Sequence, residues 1–329
     1  MKELDEFIIK EMKAWNVAGL AIATVENNEL TLLKGYGVED METGNPVDPQ
    51  STIFHVASIS KPVTASAVLQ LYEQGQLDIH KGINEYLNEV QFKNPFPNYP
   101  TAAQLLVHAG GLDASTINRV ARNKDKLNGF NEYIEQNLPP IIHPPGSISV
   151  YSNHGYALLG YLAREISGQP FPRYMEQNIF EPLGMSRSTF NVHSPLEQEL
   201  ATGYGLGPNQ GNRKTPAYIK TIPASMLRTT ALDMSHWMRA ILNDGSFNGN
   251  KILEPGTARL LLNRQYSNHR LLTGRSFGLS EGGRFSPPEF LHAGAASGYT
   301  SAMVMVPEVN FGVFITTNSN AYLWGIVNK

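Results

Sequence analysis

The chain has 329 residues, 41% of them hydrophobic and 17% charged, enough for one large domain or two lobes around a sizeable core. Its 26 Lys and Arg against 29 Asp and Glu leave a net charge of −3, which argues against the basic surface that nucleic acid requires. With no cysteine, disulfide frameworks, thiolate metal sites, iron–sulfur clusters and cysteine nucleophiles are all excluded, while the redox compartment stays open.

In chain order, Leu4, Phe7, Ile8, Met12 and Trp15 fall at helical spacing and predict an amphipathic opening helix. Residues 18–25 and 30–36 are β-rich runs separated by Glu26-Asn27-Asn28-Glu29, which predicts an antiparallel hairpin with an asparagine turn. A short apolar run at 53–57 leads into a helix from about Lys61 to Gln74, stopped by Gly75. From there to about residue 200 the pattern is mostly helix and loop. Helices are expected at 102–107, at 155–166 with Gly168 as the stop, and at 171–180, with proline-rich loops at 94–100 and 139–145. A further helix is expected at 233–242, and strand patterns return at 300–306 and 311–317.

Strands at both ends and helices between them predict an α/β chain of the α+β type. One antiparallel sheet is built from the two chain ends and flanked by helices, with a mainly helical lobe inserted. The boundaries are 1–60 with 215–329 for the sheet lobe and 61–214 for the helical lobe, with the active site in the cleft between them. No run approaches the roughly 18 apolar residues of a membrane span. The N-terminus, Met1-Lys2-Glu3-Leu4-Asp5-Glu6, has neither the basic nor the apolar region of a signal peptide. The expectation is therefore either a cytoplasmic protein or one whose leader has been removed.

Ser58-Ile59-Ser60-Lys61 is the one S-x-x-K in the chain. A serine at the mouth of a helix sees the positive end of the helix dipole, and a lysine three residues on lies one turn away on the same face. A neutral lysine amine there can accept the serine proton. The same two residues would also suit an ordinary N-cap followed by a solvated first-turn lysine. Tyr151-Ser152-Asn153 precedes the 155–166 helix and offers a phenol and an amide, but Tyr86-Leu87-Asn88 and Tyr266-Ser267-Asn268 repeat the pattern. His292-Ala293-Gly294 precedes two strands and suits an edge strand beside a substrate, and it too has a copy, His108-Ala109-Gly110.

Taken in order, these segments resemble the serine β-lactamase and penicillin-recognising family, in its class C and related-esterase branch. Ser58–Lys61 resembles the family's S-x-S-K, Tyr151–Asn153 its Y-x-N, and His292–Gly294 the H-x-G variant of its K-T-G. Leu105-Leu106-Val107-His108-Ala109-Gly110-Gly111-Leu112, Pro145-Gly146 ahead of Tyr151-Ser152-Asn153-His154-Gly155-Tyr156, and Pro182-Leu183-Gly184-Met185 are similar to further family segments. The Leu105–Leu112 resemblance marks the second His-Ala-Gly as structural. Two G-x-S-x-G matches, around Ser276 and Ser280, lack the following helix of a hydrolase elbow and read as glycine-rich loop.

The resemblance implies a β-lactamase/transpeptidase-like fold and an acyl-transferring serine hydrolase that needs no cofactor and no metal. Ser58 would be the nucleophile, Lys61 and Tyr151 would handle its proton, and Asn153 and His292 would meet the substrate. The N–H groups of Ser58 and of Ala295, the residue after Gly294, would hold the oxyanion. The partner is a small-molecule or peptide substrate; the oligomeric state stays open. Class C β-lactamases carry lysine where this chain has His292, and a histidine is mostly neutral at pH 7, which favours ester or D-amino-acid-type peptide carbonyls over β-lactams. A true β-lactamase and a penicillin-recognising sensor without turnover are the alternatives. Arg228 and Arg284 are further candidate cations for a substrate carboxylate, and the loops at 94–100, 115–130 and 203–218 would set specificity. The family's last strand is usually followed by a long helix, whereas only Ala321–Lys329 follow here.

Overall fold

The computed structural model describes residues 2–88, 90, 93–114, 118–121, 123–124, 127, 129–205, 212–214, 217–283 and 287–327. Arg284 and parts of the 115–130 and 203–218 loops lie outside the described residues.

Helix α1 (Lys2–Trp15) buries Ile8 and Met12, as its spacing predicts. Its Asp5 accepts hydrogen bonds from Lys34 Nζ and Tyr36 OH, both at 2.7 Å, which ties the helix to the neighbouring hairpin. That hairpin pairs β1 (Gly19–Glu26) with β2 (Glu29–Gly37), and Asn27 and Asn28 turn it at φ 50° and 64°. Two successive positive φ values give a turn whose twist matches that of the strands, and asparagine tolerates them better than most residues.

The middle of the chain holds β3 (Phe54–His55), α2 (Ser60–Glu73), α3 (Ala102–Leu106), β4 (Val120–Ala121), α4 (Phe130–Asn137), α5 (Asn153–Ser167) and α6 (Phe171–Met175). Gly168 ends α5 in the left-handed conformation, as expected, and α6 widens into π turns over Glu176–Phe180. The elements that follow are β5 (Tyr218–Ile219), α7 (Ile222–Ser225), β6 (Arg228–Thr229), α8 (Ala231–Leu242), β7 (Ser246–Phe247) and β8 (Asn250–Lys251). The short strands pair β3 with β6, β4 with β5 and β7 with β8.

The chain closes its sheet with β9 (Ser280–Glu281), β10 (Phe290–Ala296), β11 (Tyr299–Val306) and β12 (Phe311–Thr317). The six strands run β2-β1-β12-β11-β10-β9, all antiparallel, so the two chain ends meet in register at β1 and β12, with Ile22 opposite Ile315. This is the antiparallel sheet flanked by helices that the strand pattern predicts. Alternation along β1 sends Leu20 and Ile22 to the α1 side and Ala21, Ala23 and Val25 to the side of α8, where Met234, Trp237 and Met238 are buried. The small residues on that side let α8 lie close to the sheet.

Helix α2 runs through the main core, with every residue from Ser60 to Leu71 buried. A helix buried all round must satisfy its polar side chains internally. Thr64 Oγ1 donates to Pro223 O at 2.7 Å, Gln70 Nε2 donates to Ile252 O at 2.8 Å, and Ser66 Oγ accepts from Trp237 Nε1 at 3.2 Å. The helical periodicity of the sequence locates α2 but does not show that its polar residues face inwards.

Strand β10 passes directly against the segment that leads into α2. A Cβ on Gly294 would sit 2.2 Å from the carbonyl oxygen of Val56, so only glycine allows this approach. Gly294→Ala is therefore expected to push β10 off this segment and to lower stability by about 1–3 kcal/mol. Urea unfolding measures it, and an unchanged midpoint would show that the strand has room to spare.

Candidate active site

Between β3 and α2 the chain makes a sharp turn. Ala57 takes φ +49°, a costly conformation for alanine, and begins the 3₁₀ turn Ala57–Ile59 that carries Ser58. Two contacts hold the turn: Ser60 Oγ donates to Ala57 O at 2.5 Å and itself accepts from Leu227 N at 2.9 Å. Ser58 is partly exposed, whereas Ser60 and Lys61 are completely buried.

Lys61 Nζ has three oxygen neighbours: Asn153 Oδ1 at 2.8 Å, Ala224 O at 2.9 Å and Ser58 Oγ at 3.1 Å. The amide oxygen and the peptide oxygen only accept, so they take two N–H groups whichever charge the lysine carries. The remaining position faces Ser58. An ammonium donates a third N–H there; a neutral amine presents its lone pair to the serine proton. Burial, reinforced by the charge of Arg119, holds the Lys61 amine well below the usual lysine range, which favours the neutral form.

Tyr151 lies on the extended segment just before α5, and its OH donates to Ser58 Oγ at 2.9 Å. Its ring centre is 4.7 Å from Lys61 Nζ. Burial of the phenol raises it above its ordinary pKa, so it is protonated at neutral pH. Asn153 is the first residue of α5, whose N-cap Ser152 accepts from Gly155 N at 3.1 Å. With its Oδ1 on Lys61, the Asn153 amide has its donor end left for another group.

His292, Gly294 and Ala295 all lie on β10, not ahead of the strands. Ala296 and Tyr299 close the tight β10–β11 turn. By alternation, Ala295 opposite Thr300 is a pair without mutual hydrogen bonds, so the Ala295 N–H points away from β11. Beyond β10 on that side, β9 pairs only with Phe290 and Leu291. His292 Nδ1 donates to Ala293 O at 2.7 Å, which leaves Nε2 as an acceptor. Burial, helped by the nearby Lys61, pushes His292 down to about 3. No fixed positive charge stands at this position at pH 7.

The structure thus brings Ser58, Lys61, Tyr151 and Asn153 into one hydrogen-bonded group. The other Tyr-x-Asn copies lie elsewhere: Tyr86 OH accepts from Asp78 N at 2.9 Å, and Tyr266 OH donates to Gly146 O at 3.2 Å. Ser276 is fully buried and Ser280 Oγ accepts from Arg275, so neither G-x-S-x-G serine is presented as a nucleophile. Arg228 is taken up elsewhere. It is 1% exposed and grips Glu197 through two hydrogen bonds of 2.7 and 3.0 Å. The cations acting on the Tyr151 phenol are instead Arg275 and Arg119, neither of which forms an ion pair among the described residues. Arg119 escaped the sequence reading because it carries no motif and comes near Lys61 only through the β4–β5 pairing.

The Beta-lactamase family model matches residues 4–324, and the chain belongs to that family of serine hydrolases. Protein flp of Staphylococcus aureus (strain MRSA252) is 24% identical over 328 residues, covering 97% of this chain and 63% of its own length. The putative penicillin-binding protein PbpX of Bacillus subtilis (strain 168) is 29% identical over 269 residues, 76% of this chain and 64% of its own. The chain therefore spans less than two thirds of these relatives. The octameric penicillin-binding protein homologue from Pyrococcus abyssi superposes with a TM-score of 0.80 at 23% identity, over 98% of this chain and 74% of that one. The D-alanine carboxypeptidase AmpC from Burkholderia cenocepacia does so at 0.78 and 22%, over 99% and 97%. Both share the fold. No helix among the described residues is long and apolar enough to cross a membrane.

The buried histidines predict an acid-sensitive fold. His55 and His292 are held to about 3 and His154 to about 4, chiefly by burial, so between pH 6.5 and these values the unfolded chain binds protons that the native chain does not. Stability then falls as pH falls. Asp233, raised by burial to about 6, opposes this: its contribution is complete below 3.8 and is lost as pH rises through 6. These imidazoles outweigh one carboxyl, so the urea midpoint is expected to be lower at pH 5 than at pH 7, with the unfolding free energy reduced by on the order of 1 kcal/mol or more. A midpoint that rises on acidification would contradict the neutral, buried histidines.

Proposed function

We propose that this chain is a serine hydrolase that works through an acyl-enzyme on Ser58, with ester or D-amino-acid-type peptide carbonyls as substrates. The observation that carries this reading is the position of Ser58 Oγ, 2.9 Å from a protonated phenol and 3.1 Å from a lysine amine whose two other neighbours are fixed acceptors. Ser58 Oγ attacks the carbonyl carbon while its proton passes to neutral Lys61. The oxyanion is met by the N–H of Ser58, in a first helical turn where such groups have no partner within the helix, and by the outward N–H of Ala295. Tyr151 protonates the departing oxygen or nitrogen and regains a proton from Lys61. Water then attacks the acyl carbon along the same path in reverse and frees Ser58. The donor end of Asn153 and the Nε2 of His292 orient the substrate in a cleft between the sheet lobe (1–60 and 215–329) and the helical lobe (61–214).

Ser58→Ala is expected to abolish covalent labelling by a serine-reactive phosphonate while leaving the circular dichroism spectrum intact. Labelling that persists in Ser58→Ala and disappears in Ser280→Ala would move the nucleophile to the glycine-rich loop.

Neutral His292 favours substrates without a carboxylate. Short-chain aryl esters are expected to turn over, and a chromogenic cephalosporin to turn over weakly at pH 7. His292→Lys should shift the ratio towards the cephalosporin by roughly tenfold or more, the value of one added charge-assisted hydrogen bond. A second reading, cleavage of a carboxylate-bearing peptide, is favoured by Arg119 and Arg275 beside the phenol. In that case Arg119→Ala or Arg275→Ala raises KM for a D-Ala-D-Ala peptide and not for the ester. Stoichiometric acylation without steady-state turnover of any of the three substrates would make the chain a sensor.

A further inference from the structure

The His108-Ala109-Gly110 segment, which resembles only a structural landmark, lies against the proposed acid. His108 follows α3 and adopts φ +61°, an uncommon conformation for which histidine is one of the more tolerant residues. That conformation lets a single residue grip the chain on both sides of Tyr151. The carbonyl of His108 accepts from Val150 N at 2.9 Å. Its ring Nδ1 accepts from Ser152 N at 3.1 Å. The imidazole also fills the space between two phenol rings, with its centre 4.5 Å from that of Tyr151 and 5.1 Å from that of Tyr156. Tyr156 is anchored in turn by its OH on Leu106 O at 2.7 Å, just ahead of His108.

From these contacts we infer that His108 is a positioning residue for Tyr151. It fixes the main chain through both neighbours and braces the ring, so that the phenol stays 2.9 Å from Ser58 Oγ. The inference rests on the reading of Tyr151 as the proton-transfer group. His108 does not itself reach Ser58 in any hydrogen bond of the described residues. An acceptor role for Nδ1 requires a neutral ring, and burial, with the nearby Arg275, holds His108 well below its ordinary pKa. The ring is 4% exposed, so its orientation is set by the protein. The bond to Ser152 adds a second link, because Ser152 also caps α5, the helix that begins with Asn153. One imidazole therefore acts on the spacing between the phenol and the amide that holds Lys61.

The test is a double-mutant cycle on hydrolysis of a short-chain aryl ester by the full chain, with Tyr151→Phe, His108→Ala and the double variant. His108→Ala is expected to lower kcat by about 10²-fold, the scale set by a misplacement of around 1 Å, with KM changed less than about threefold. In the Tyr151→Phe background the same change should cost almost nothing, because no phenolic proton remains to be positioned. His108→Asn tolerates the backbone conformation and can accept from Ser152 N, so it should recover about tenfold of the lost kcat. If His108→Ala does not fold, the cycle is run with His108→Asn, whose remaining loss should likewise vanish beside Tyr151→Phe. A purely structural histidine would slow both backgrounds by the same factor, and that result overturns the inference, as does wild-type kcat in His108→Ala or, where that variant does not fold, in His108→Asn. Wild-type kcat in Tyr151→Phe would instead overturn the proposed role of Tyr151.

Discussion

The burial of Lys61 is the constraint on which the rest of the site depends. An ammonium enclosed by protein is costly, and the fold answers with two oxygens that can only accept, Asn153 Oδ1 and Ala224 O. These come from α5 and α7, so the lysine joins three elements at one point. Thr64 and Ser60, neighbours on α2, bind the same partner segment through Pro223 O and Leu227 N. The lysine is thereby locked in direction, and its one variable position faces Ser58. Removing either acceptor would loosen the α2–α5–α7 junction as well as the Lys61 side chain.

Among the described residues, the positive-φ residues that are not glycine, asparagine or aspartate both lie at the same place. Ala57 and His108 both adopt positive φ; Ala57 directly precedes Ser58, and His108 lies against Tyr151. Ala57 turns the chain so that Ser58 stands at the entrance to α2, and His108 turns it so that its ring and carbonyl reach around Tyr151. Gly294 completes the arrangement by allowing β10 onto Val56 O. The serine sits where two strained turns and one close strand approach converge, and each is held by hydrogen bonds from other elements.

The electrostatics around Ser58 differ from those implied by a lysine on the third motif. His292 is neutral, and its Nδ1–H is committed to Ala293 O, so it contributes an acceptor rather than a charge. The cations that act on the Tyr151 phenol are Arg275 and Arg119, neither of them on β10.

Periodicity and turn chemistry were enough to read much of the fold from the residues: the buried face of α1, the Asn27-Asn28 hairpin, the Gly168 stop of α5 and the strands 300–306 and 311–317 all follow from local patterns. Ser58 and Lys61 were legible as a pair, since a serine one helical turn from a lysine is a local relation, whereas Tyr151 and Asn153 stood out from two other Tyr-x-Asn copies only through the family resemblance. Other features were not legible, because they are relations between residues distant in the chain. Phe130, Tyr133 and Ile134 do stand at helical spacing, but a run of eight residues is too short to hold a helix until it packs on α5, and nothing near Arg228 shows that Glu197 will bury it. The two His-Ala-Gly tripeptides are identical as text. Tertiary structure places one on a strand edge and the other around Tyr151, because only packing decides which side chains an imidazole meets and how far water is kept from it.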